Sequence, residues 1–183
     1  MEMISKLYLS RTVIMSSSGR VSWPPEAPLW TFLWDVHDYD SEGIAFRGKK
    51  VFHKASLPMI RVKYDSGAGP YKDSLSGTNM KGFKIYEGTN PVFRFLVVES
   101  YHTIGHYRLT NRWIFRSDGI ILPQLYTAGH QHPSSHTHHC YWRFDFDIIG
   151  QSSNLVLRRY SNSSTNWGLR PRLESDRERG QSL

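Results

Sequence analysis

The chain has 183 residues, one cysteine and a formal charge of +7, with a pI near 9.6. That length suits one compact domain rather than two enzymatic ones, and the lone Cys140 excludes an intrachain disulfide and gives no sign of a stapled secreted scaffold. The positive charge is scattered Arg and Lys without a dense block, so a solvated basic surface is expected and no nucleic-acid partner.

Taken in chain order, the N-terminal "MEMISKLYLSRTVIM" carries Glu2, Lys6 and Arg11 and has no continuous apolar core, which makes it a poor signal peptide. No run approaches the length that spans a bilayer. A soluble, cytoplasmic protein without a membrane partner is expected. Residues 1–27, ending in the Ser- and Pro-rich "SSSGRVSWPPEAP", are read as a flexible lead-in. From 28 to 162 the apolar period is two rather than 3.6, with candidate strands at 29–36, 50–55, 59–64, 81–87, 92–100, 103–116, 120–129, 138–149 and 154–160. Turn signals such as "SDG" and "EGTNP" separate them. Strands of this length and spacing predict an all-β, antiparallel β-sandwich. The polar, Arg-rich residues 163–183 are read as a disordered tail.

Two segments carry the chemistry. In "TIGHYRLTNRWIFR", read as one continuous strand, Tyr107, Leu109, Trp113 and Phe115 share one face while His106, Arg108, Arg112 and Arg116 share the other. A tyrosine on the inward face needs a partner for its hydroxyl. In "HTHHCYWRFDFDII" the parity places His136 and His138 with Trp142, Phe144 and Phe146. Two imidazoles one residue apart on a strand face can converge on one metal ion, and a third ligand is then needed. His130, His132 and His139 are candidates, and we take His132. The alternative is a His-rich loop that binds metal adventitiously.

Four segments together resemble, in the same order, the catalytic domain of the copper-containing amine oxidases, quinone-dependent enzymes that oxidise primary amines. "KKVFHKASLPMIRVKYDS" looks like that family's Y-x-A-S-L-x-E-M-x-V-x-Y region, and "TIGHYRLTNRWIFRSDGII" like the segment around its cofactor tyrosine. "YTAG" is similar to its A-T-G, and "HTHHCYWRFDFDIIGQSSN" to its H-T-H-x-x-x-x-R-x-D-x-D-V-x-G-x-x-N. The resemblance implies a reduced form of the family's antiparallel super-sandwich. It implies copper held by His136 and His138, topaquinone formed from Tyr107 with copper and dioxygen, and a primary amine as substrate. It also has departures. His106 and Arg108 flank Tyr107 where the family has Asn and an acidic residue, and Ser76 stands at the position of the family's aspartate base. A serine hydroxyl is not basic near neutral pH. Asp73 and Asp65 are the nearby carboxylates, and Asp73 is taken as the catalytic one. The family's third copper histidine lies far downstream of its H-x-H pair, further than this sequence extends.

The expected function is therefore a copper-amine-oxidase-like domain that binds copper and retains quinone-dependent oxidation of primary amines in reduced or altered form. One alternative is a cofactor-free enzyme that cyclises or isomerises a small organic molecule inside an aromatic-lined sandwich. Another is a non-catalytic module. A sandwich short of strands exposes apolar sheet edges, so a homo-oligomer is expected.

Overall fold

Strand formation follows the alternation of the side chains. In Tyr107–Arg116 every second residue, from Tyr107 through Leu109, Asn111 and Trp113 to Phe115, is buried, and those between reach the surface. The computed structural model describes residues 8–12, 18–35, 40–130, 134–148, 157–161 and 167–171, with side chains over 19–35, 43–130 and 134–148. Among the described residues there are strands and turns and no helix, hence none long and apolar enough to cross a membrane.

In chain order the strands are β1 (Tyr8–Thr12), β2 (Ser18–Trp23), β3 (Trp30–Asp35), β4 (Asp40–Phe46), β5 (Lys49–Tyr64), β6 (Tyr71–Asp73) and β7 (Met80–Thr89). They continue with β8 (Arg94–Ile104), β9 (Tyr107–Arg116), β10 (Ile121–Ala128), β11 (His136–Phe146), β12 (Leu157–Ser161) and β13 (Trp167–Pro171). One antiparallel sheet has the order β1-β7-β8-β9-β10; the other runs β11-β5-β4-β3-β2, with β6 added on β5. Both belong to a unit spanning Met1–Phe146. A second unit, Asp147–Leu183, contains the antiparallel pair β12–β13. β1 and β2 lie within residues 1–27, and β13 lies within 163–183.

The two five- and six-stranded sheets face each other across a core supplied by both, as the period-two pattern predicts for a β-sandwich. Phe32 of β3 stacks on Phe115 of β9 with ring centroids 4.4 Å apart, and Trp30 meets Phe115 edge-on at 5.5 Å. The indole N–H of Trp30 also donates to the Arg116 carbonyl at 2.6 Å, so this donor is satisfied across the core. A second apolar cluster joins Leu57, Ile60, Val62, Tyr64 and Leu75 to Tyr107 and Leu109, and Trp142 packs against both clusters.

Most strand ends shift by one to four residues and β1, β2, β4, β6 and β13 add to the strands read from the sequence; two differences are of continuity, each with a local reason. Residues 50–55 and 59–64 form one strand, not two. Ser56 opposes Arg143 and Met59 opposes Tyr141, so Leu57 and Pro58 together face the single residue Trp142. That bulge accommodates an exposed proline, which has no N–H for the ladder, and leaves Leu57 buried. Residues 103–116, by contrast, are not one strand. β8 ends at Ile104, Gly105 and His106 form a two-residue turn, and β9 starts at Tyr107, which pairs with Ile104. Gly105 has φ 56°, the left-handed conformation such a hairpin requires at its first turn position. The predicted inward parity of Tyr107 survives, but the tyrosine stands at the mouth of a strand rather than within one.

Candidate functional site

Register brings the site together. On one sheet, β5 ends at Tyr64 and β11 begins at His136, and these two residues are direct cross-strand partners; two residues on, His138 pairs with Val62. Period two then puts Tyr64, His136 and His138 on the inward face. From the opposite sheet Tyr107, the first residue of β9, enters the same space. Its hydroxyl lies 2.5 Å from that of Tyr64. The His138 ring stands edge-on to Tyr107 at 4.8 Å, His136 lies 5.4 Å from Tyr107 and 5.1 Å from Tyr64, and the two imidazoles are 5.0 Å apart. Two phenols and two imidazoles thus form one contiguous cluster.

The protons in this cluster are partly assignable. The Ser134 carbonyl accepts from Nδ1 of His136 at 3.4 Å, which leaves the lone pair of that ring on Nε2. His138 is different: both of its ring nitrogens are buried and neither has a hydrogen-bond partner among the described residues. Burial, followed by the neighbouring His136, lowers the pKa of His138, and the Asp73 carboxylate partly opposes them. A neutral imidazole is the form that offers a lone pair to a metal. Burial raises the pKa of Asp73, against the influence of His138. Burial, then the hydrogen bond with Tyr107, pushes the Tyr64 phenol well above its ordinary value.

A cavity of about 430 Å³ opens beside the cluster, lined by Val62, Tyr64, Ala68, Tyr71, Asp73, Ile104, Gly105 and Tyr107. Tyr71 and Asp73 share a face of β6, whose pairing with Val62 and Ile60 of β5 aims them at this space. No described residue hydrogen-bonds or ion-pairs with the Asp73 carboxylate.

Of the residues singled out from the sequence, Tyr107, His136, His138 and Asp73 come together here. His132 lies outside the described residues. His130 is exposed, and His139 is exposed on the outward parity of β11. Arg108 points outward, away from the phenol it follows. Ser76 lies in the turn before β7, where its N–H donates to the Asn79 side-chain oxygen at 3.0 Å. Among the described residues no three His, Cys, Asp or Glu side chains converge on one point. The donor set therefore fits the two-imidazole half of a metal site, with the unpartnered nitrogens of His138 as the structural sign. Sequence reasoning missed Tyr64 and Tyr71. Tyr64 had a signal, because it closes the "MIRVKY" alternation on the same parity as the core residues Ile60 and Val62. Tyr71 had none: it sits on a three-residue strand after a Gly- and Pro-rich stretch.

No protein-family model and no curated protein matches the chain. Among solved structures it is similar to a copper-containing benzylamine oxidase from Hansenula polymorpha, with a TM-score of 0.57 and 14% identity over 86% of this chain and 38% of that one. It is also similar to the Pichia pastoris lysyl oxidase, with a TM-score of 0.52 and 14% identity over 79% of this chain and 31% of that one. The chain thus spans about a third of the length of the proteins it matches. At this identity the likeness establishes the fold, an antiparallel β-sandwich like that of copper-containing amine oxidases.

Proposed function

We propose that the chain is a reduced copper-amine-oxidase-like domain that binds one copper ion through His136 and His138 and acts on primary amines at Tyr107. The observation that carries this reading is His138, whose two ring nitrogens are buried without partners among the described residues, beside a second imidazole and against a phenol. Leaving both nitrogens unmet costs free energy, which a metal bound at one of them would offset. Copper held there would supply the one-electron chemistry with dioxygen that converts a tyrosine to a quinone. The chain's own groups divide the remaining work. Tyr64 orients the Tyr107 hydroxyl through the hydrogen bond between them. Asp73, at the cavity wall, attracts an ammonium and is the carboxylate there that could accept a proton, a role that Ser76 cannot fill. Val62, Ala68 and Ile104 present an apolar wall to the body of the amine. Along the same β11 strand, Phe144 and Phe146 stand 37% and 49% exposed on an edge strand, which supports self-association as a second property of the chain.

Titration of metal-free protein with Cu(II), followed by intact-mass analysis after aerobic incubation, tests the reading. One equivalent is expected to bind, with affinity falling by at least about tenfold in His138→Ala, since even partners behind a ligand are worth that much. A mass gain matching conversion of one tyrosine to topaquinone, absent in Tyr107→Phe, would establish the cofactor. Wild-type protein that takes up no Cu(II) would remove the reading.

A further inference from the structure

The cavity beside Tyr107 holds one aromatic ring, that of Tyr71, to which the proposed oxidation gives no role. Tyr64 and Tyr71 meet there at nearly a right angle, with ring planes 80° apart and centroids separated by 6.0 Å, so they form a corner of two aromatic faces. His136 packs against Tyr64 at 5.1 Å, which braces one side of that corner. Asp73 stands two residues along the same strand face from Tyr71, and its carboxylate has no hydrogen-bond or ion-pair partner among the described residues. Tyr107 adds a third ring, and the other described lining residues are aliphatic or glycine.

Anionic acceptors are scarce among the described residues that line this space. The hydroxyls of Tyr64 and Tyr107 are hydrogen-bonded to each other, which takes up one donor and one lone pair and leaves only neutral phenol oxygens as further acceptors from these two rings. Asp73 is the one carboxylate among the described lining residues. A primary ammonium brings three N–H donors that leave water only where acceptors replace it. A fully methylated ammonium brings none. Its diffuse charge is stabilised by aromatic faces and by one carboxylate, with no demand for further acceptors. We infer that the Tyr64–Tyr71–Tyr107 corner with Asp73 is a binding site for a quaternary or highly methylated ammonium ion, a ligand class distinct from the primary amines of the proposed oxidation. The volume of about 430 Å³ admits a choline-sized head with room for a larger substituent. The site shares its cavity with the oxidase reading but does not rest on it, because a quaternary ammonium has no N–H to lose and needs no copper.

The full chain, stripped of metal with a chelator, is titrated calorimetrically with choline, with 3,3-dimethylbutan-1-ol (the same shape without the charge) and with benzylamine. Choline is expected to bind at least about tenfold more tightly than its uncharged analogue. Asp73→Asn should weaken choline about tenfold, and so should Tyr71→Leu, whereas Tyr71→Phe keeps the ring and should bind as wild type does. Tyr71 is 55% exposed and Asp73→Asn is isosteric, so these variants are not expected to unfold the protein. Equal binding of choline and the alcohol, indifference to Asp73→Asn, or binding of benzylamine but not choline would each overturn the inference. The last result would leave the oxidase reading standing. Loss of Cu(II) uptake with choline binding intact would do the reverse.

Discussion

The two ends of strand β9 are built on opposite rules. At its C-terminal end Trp113 and Phe115 are buried among Trp30, Phe32 and Ile44, polar atoms are few, and the Trp30 indole is tied to the Arg116 carbonyl. Among the described residues, Nε1 of Trp34 there lacks a partner, as do both side-chain polar atoms of Asn111, two residues before Trp113 on the same strand. At its N-terminal end Tyr107 meets two imidazoles, a second phenol and an open cavity, and both nitrogens of His138 go unmet. One end of the strand is packed for stability. The other gathers ionisable rings, two of their nitrogens unmet, beside an open cavity, and it is that combination which distinguishes a binding or catalytic site from a core.

If that division is right, damage to the packed end should be felt mainly as stability. Phe115 is fully buried, stacked on Phe32 and edge-on to Trp30, so Phe115→Ala removes a large apolar contact and leaves a void. A loss of about 3–5 kcal/mol is expected in urea denaturation. A loss below about 1 kcal/mol would mean that the aromatic end relaxes freely and is not the anchor of the sandwich.

Between the ends lies His102, the cross-strand partner of Leu109 and 2% exposed. Its Nδ1 is 2.9 Å from the amide oxygen of Asn79, which can only accept, so Nδ1 carries the proton. Nε2 then accepts from the Ser100 hydroxyl at 2.8 Å. Burial holds the pKa near 4, below the ordinary 6.5. Because the folded value is depressed, the unfolded chain takes up the proton first. The stability from this residue is whole above about pH 6.5 and is lost as pH falls towards about 4, to a total of about 3 kcal/mol. Denaturation midpoints at pH 7 and pH 4 for wild type and His102→Gln measure it. The wild type should show the steeper fall; parallel curves would place the acid sensitivity elsewhere.

Much of this division was legible in the sequence. Alternation gave the inward parity of Tyr107, His136 and His138, and a sandwich requires their strands to face one another across the core. What the residues could not announce depended on register. Whether Thr103–Ile104 continues into Tyr107 or turns back is decided by Gly105, a single residue inside an otherwise strand-like run. The partner of Tyr107 is Tyr64 because β5 and β11 pair so that Tyr64 lies opposite His136, and no local pattern states that offset. Tyr71 and Asp73 reach the cavity on three residues of strand, too short a run to carry a period. Asp73 was identified by its nearness in sequence to the position where Ser76 stands, whereas its place in the cavity comes from the pairing of β6 with β5.

The sharpest separation of the two ends comes from one substitution whose sign depends on conditions. His138→Leu replaces a ring with two buried, unpartnered nitrogens by an aliphatic side chain in contact with Tyr107. In metal-free buffer near pH 8 the removal of those unmet groups should raise stability by about 1–2 kcal/mol, the reverse of what truncation does at Phe115. With Cu(II) present at a hundred times its dissociation constant, the wild type gains about 2.7 kcal/mol by mass action, and the order of the two proteins inverts. Thermal or urea denaturation of both proteins, with and without Cu(II), reads the four values. A variant less stable than wild type without metal would mean that His138 already has what it needs from the fold, and the contrast between the ends of β9 would lose its physical basis. A gain without metal and no inversion with it would keep the contrast, but copper would not be what the unmet nitrogens await.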